Sequence, residues 1–81
     1  MQRKNVSRDE LDAWLTQEIL AFEDCNESTL SVQYVLVHPD AEGCNWSGVV
    51  AGVGPDITAE QIQPIAAQIV KRARVLFNIA E

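Results

Sequence analysis

The side chains with the most chemistry within reach of one another lie in a single stretch, His38-Pro39-Asp40-Ala41-Glu42-Gly43-Cys44-Asn45-Trp46. His38, Asp40, Glu42 and Cys44 offer nitrogen, oxygen and sulfur donors of the kinds that hold a divalent cation. Their spacing follows no zinc pattern: there is no C-x-x-C pair, and His38 is the only histidine in the chain. A metal here would lean on carboxylates. Cys44 as a nucleophile would need His38 as its base, and no third orienting group or oxyanion donor can be assigned. The plainer reading is a polar connecting loop in which Cys44 packs as a small apolar residue. On that reading Asp40, Glu42 and Trp46 form a docking surface for a partner protein, with Trp46 either packed in the core or at its edge, the more favoured reading, or exposed as the anchor, because a partly exposed Trp is a frequent interface hot spot. No cofactor is expected.

Charge is laid out unevenly around this loop. Arg3, Lys4 and Arg8 open the chain and Lys71, Arg72 and Arg74 stand near its end, while every ionised residue from Asp9 to Glu60 is acidic. The net charge is −6. Part of the pattern is explained by acids at helix starts and bases at helix ends, where each complements the helix dipole. The rest suggests an acidic surface that meets a basic partner. An acidic chain is a poor general binder of phosphate backbones, so an adaptor that grips nucleic acid through its two basic ends is the weaker alternative.

The elements that must position these residues can be read from periodicity. Ser7-Arg8-Asp9-Glu10 has the form of a capping box, and Leu11, Trp14, Leu15, Ile19 and Phe22 then recur at the spacing of one helix face, giving a helix over Arg8 to Phe22. Thr29 to His38 is rich in β-branched residues and ends at Pro39, which cannot donate to a ladder. Trp46 to Val53 reads as a second strand, with Gly48 and Gly52 marking close approach by another element. Gly54-Pro55 breaks the chain. Thr58 and Gln61 form a second capping box, followed by a helical stripe through Ile62, Ile65, Ala66, Ile69, Ala73, Leu76 and Phe77 nearly to the end. Pro64 makes the first turn of that helix irregular.

The expectation is therefore one α+β domain over residues 1–81, ordered helix-strand-strand-helix, with residues 1–6 as a flexible N-terminus. A two-stranded antiparallel hairpin is a thin scaffold. Val35 and Val37 with Val49 and Val53 leave a second apolar surface, so the expected assembly is a homodimer whose two hairpins complete a four-stranded sheet. With two cysteines, no long apolar run and no apolar stretch after the basic start, the expected setting is cytoplasmic and free of membranes.

Helix-strands-helix order with Lys71, Arg72 and Arg74 on the last helix is distantly similar to the double-stranded RNA-binding domain. That family has three strands and carries its lysines at the start of the final helix, where this chain has Thr58-Ala59-Glu60-Gln61. That departure removes the support that the resemblance would lend to RNA binding. The functional expectation is a non-enzymatic protein-interaction or accessory module, with a metal- or small-ligand-binding loop over residues 38–46 as the alternative.

Overall fold

Leu11, Leu15 and Ile19 fall on one line of a helix at intervals of four residues, and all three are buried. This line fixes the first helix against the rest of the chain. The computed structural model describes residues 3–80. In order these are β1 (Lys4–Val6), α1 (Arg8–Leu20), a 3-10 turn (Glu23–Cys25), β2 (Thr29–Val35), β3 (Trp46–Gly52), α2 (Ala59–Leu76) and β4 (Phe77–Ile79). The class is α+β, with two helices and an antiparallel hairpin among the described residues.

Both helices begin at the residues whose side chains can satisfy their first free amides. Ser7 Oγ accepts from the Glu10 amide at 3.1 Å. Thr58 and Gln61 form the full reciprocal pair, at 3.2 Å and 3.1 Å. Pro64 lies inside α2 without ending it. Helix α1 stops at Leu20, two residues short of the expected Phe22, and both Leu20 and Phe22 are exposed. Beyond them the chain turns through Glu23–Cys25 and a left-handed Glu27 into the hairpin.

β2 and β3 pair antiparallel from Thr29↔Gly52 to Val35↔Trp46. β2 ends three residues before the expected His38. Gly54 is required where the chain leaves β3: a Cβ there would lie 1.9 Å from the Asn26 carbonyl oxygen.

Two strands were not visible in the sequence pattern. Lys4–Val6 is a strand, not part of a flexible tail, and it pairs in parallel with Phe77–Ile79, which is not a continuation of the last helix. Met1 and Gln2 lie outside the described residues. The register runs from Lys4↔Phe77 to Val6↔Ile79, and the Ala80 amide extends it by donating to the Val6 carbonyl at 2.8 Å. The core gathers Leu11, Leu15 and Ile19 of α1, Leu30 and Val32 of β2, Trp46 of β3, and Ile62, Ile69 and Ala73 of α2. No helix among the described residues is long and apolar enough to cross a membrane.

Candidate interaction surface

The loop between β2 and β3 is tied down from within. Asp40 Oδ1 accepts from the amides of Glu42 at 2.9 Å and Cys44 at 3.0 Å. The Asp40 amide donates to the Cys44 carbonyl at 2.8 Å. The other carboxylate oxygen, Oδ2, receives the guanidinium of Arg74 on α2. The Cys44 amide bond, backed by the Glu42 amide and Arg74, holds the Asp40 carboxyl below the usual carboxylate range against the opposing effect of burial. Arg74 also donates to the Trp46 carbonyl at 2.9 Å, and its guanidinium carbon sits 5.8 Å from the Trp46 ring centroid.

Asn45 binds the loop to the far sheet. Its amide nitrogen Nδ2 donates to the Ile79 carbonyl at 2.6 Å, and its Oδ1 accepts from the Ile79 amide at 2.8 Å. The side chain thus takes the place of a neighbouring strand along β4. Trp46 Nε1 donates to the Phe77 carbonyl at 3.1 Å, and Asn78 Nδ2 donates to the Gly43 carbonyl at 3.1 Å.

This geometry redistributes the expected site residues. Trp46, which an anchor role would need at the surface, is fully buried and has no face to offer a partner. Its indole enters the core because the polar N–H finds the Phe77 carbonyl there. Asp40 is occupied by Arg74 and by its own loop. Glu42 is exposed. The four proposed metal donors are not brought together: Cys44 is buried with its thiol toward the Trp46 carbonyl, whereas His38 and Glu42 face solvent. Among the described residues, no group of three or more His, Cys, Asp or Glu side chains is placed to hold a metal ion. The arginines of the basic ends are engaged too. Arg3 donates to the Arg74 carbonyl, Arg8 to the Val32 carbonyl, and Arg72 pairs with Glu18.

The open surface lies elsewhere, on the hairpin. On β2, the backbone of Leu30 and Val32 points away from β3 and is met by side chains of α1. Asp12 Oδ1 accepts from the Val32 amide at 2.7 Å, and Arg8 donates to the Val32 carbonyl at 2.6 Å. Thr16 Oγ1 both accepts from and donates to Leu30, at 3.1 Å and 3.0 Å. Arg8, Asp12 and Thr16 recur every four residues on one face of α1, so the helix closes this strand edge as a further strand would.

On β3 the opposite edge has no such cover among the described residues. Leu30 and Val32 face Ala51 and Val49 in the register, so those two residues also turn their backbone groups outward. The Leu36 amide, by contrast, bonds inward to the Asn45 carbonyl at 2.7 Å. Both patterns cannot belong to one unbroken ladder. The phase changes at Gly48, which has φ +71°. The same change lets Trp46 and Val49, three residues apart, both reach the core.

Val49 and Ala51 have no backbone partner among the described residues outside their own helices and strands. Beside them runs a groove of about 460 Å³ between β3 and α2, with Val49, Ala51 and Val53 on one wall and Ile62, Ala66 and Val70 on the other. None of its lining residues is charged. Of the four valines expected at a dimer contact, Val49 and Val53 belong to this groove. Val35 is 40% exposed and Val37 is 92% exposed, away from it.

Comparison with known proteins yields no matching family model, no matching curated protein and no matching solved structure.

Proposed function

We propose that this protein is a non-enzymatic interaction module that takes an extended segment of another polypeptide along the outer edge of β3. The observation that supports this reading is the asymmetry of the hairpin. α1 satisfies the edge of β2, while the edge of β3 is left open beside an apolar groove. Strand edges are ordinarily blunted by charge, proline or a covering element. From Asn45 to Val53 this chain has none of the first two. Main-chain hydrogen bonds to Val49 and Ala51 would give affinity, and the groove would select small apolar side chains. The loop of residues 38–46 then acts as the brace that holds β3 in place. A homodimer that completes a four-stranded sheet is one assembly of this kind.

The test is amide chemical-shift mapping of the labelled protein with short uncharged β-prone peptides of unrelated sequence. Shifts centred on Val49, Ala51, Ala66 and Val70 are expected. Shifts centred on Glu42 and His38, or none with any peptide in a chain dilute enough to be monomeric, would contradict this reading.

A further inference from the structure

We infer that the occupant of the β3 edge is a second copy of this chain, paired antiparallel strand to strand about a two-fold axis at Val50. The inference rests on the edge-docking reading above and names its partner.

Charge selects against most alternatives. The chain carries −6, so two copies repel unless they meet through a neutral face. No charged residue stands between Asn45 and Pro55, and the α2 residues lining the groove are uncharged. A basic partner would find no acid on this face to pair with. A second β3 brings neither sign of charge.

The hydrogen-bond phase then sets the register. Val49 and Ala51 are the outward residues of β3, two residues apart with Val50 between them. An antiparallel copy can match outward groups to outward groups by setting Val49 opposite the partner's Ala51, and Ala51 opposite the partner's Val49. Each such pair exchanges both of its bonds, giving about four across the axis. Extending the match past Gly48 fails because Ser47 lies beyond the phase change and turns inward. Val50, 49% exposed on the outer face of the hairpin, lands against itself at the axis. The result is a sheet of order β2-β3-β3-β2, with α1 closing both outer edges.

A contact made of one strand edge and part of a groove is small beside the ~800 Å² that one partner contributes to a standard interface, so this dimer should dissociate on dilution.

Engineered crosslinking with sedimentation tests this. Residues opposite each other in a non-hydrogen-bonded antiparallel pair lie about 4.5 Å apart at Cα, within disulfide reach. Val50→Cys should form a covalent dimer under mild oxidation. Ser31→Cys, on the same face but one strand further from the axis, should not. Cys25 and Cys44 are buried and do not compete. Val50→Lys, at a position that faces solvent in the free chain, should weaken dimerisation several-fold, since it sets like charges opposite each other. A chain that stays monomeric at high concentration, with unrelated peptides still shifting Val49 and Ala51, would overturn the second copy and leave the edge reading standing. A dimer indifferent to Val50→Lys and uncrosslinked through Val50→Cys would overturn the second copy at this edge, and the absence of peptide shifts at Val49 and Ala51 in the same dilute chain would overturn the edge reading as well.

Discussion

Arg74 joins three separate stretches of this chain through one side chain and its own carbonyl. It binds Asp40 in the loop, donates to Trp46 at the start of β3, and accepts from Arg3 ahead of β1. Asp40 is the titrating member of this junction. A carboxyl held below its ordinary range contributes stability that is present above that range and is lost as pH falls from it through the lower folded-state value. Urea midpoints of the wild type should therefore drop as pH is lowered from neutral past the usual carboxylate range. Asp40→Asn should lower the midpoint at pH 7, with the gap to wild type narrowing on acidification. An unchanged gap from neutral to acid pH would show that the junction does not depend on this charge. The thiol of Cys25 moves the other way: burial, followed by the charge of Asp24, pushes its pKa up. It should resist alkylation at neutral pH in the folded state and react once urea unfolds the chain, as intact mass would show. Rapid labelling of the native protein would contradict its burial.

At the scale of elements, much of the fold was legible because two periodicities carry it. The α1 line of Leu11, Leu15 and Ile19 and the α2 line of Ile62, Ile69 and Ala73 are buried where the spacing puts them, and both capped starts are found at Ser7 and Thr58. The short parallel pair was not legible. A strand of three residues has no period to read, and Phe77 continues an apolar stripe that looks helical until the backbone beyond it finds Asn45 and β1. The loop was legible as a place where polar chemistry gathers, but not as a brace. Asp40 finds its partner Arg74 and Asn45 its partner Ile79 more than thirty residues away, and nothing local marks those distant groups. The sequence left Trp46 between core packing and an anchor role for a related reason. Strict alternation puts it opposite Val49, and only the backbone of Gly48 reverses that. Asn45→Ala should remove the side chain that satisfies β4. The Ile79 amide should then exchange with solvent much faster, and stability should fall by about 1–3 kcal/mol through its unpaired backbone groups. Unchanged exchange at Ile79 would mean that β1 alone holds β4.

At the scale of the whole molecule, the fold is closed at one end and open on one side. The loop, β1, β4 and the end of α2 are bound together by side-chain to backbone bonds, and α1 seals β2. The face of β3 and α2 is apolar, uncharged and without cover. The extents of 37 × 21 × 20 Å describe an elongated body for a chain of this size. Function, on this view, belongs to the side left open, and the polar loop serves to keep it in shape. The most direct test is residue-resolved amide hydrogen exchange at a concentration low enough to keep the protein monomeric. The amides of Leu30 and Val32, held by Thr16 and Asp12, should be protected, while those of Val49 and Ala51 in the same hairpin should exchange close to the rate of free backbone. Equal protection of all four in the dilute monomer would mean that the chain covers its own β3 edge, and the docking surface would have to be sought elsewhere.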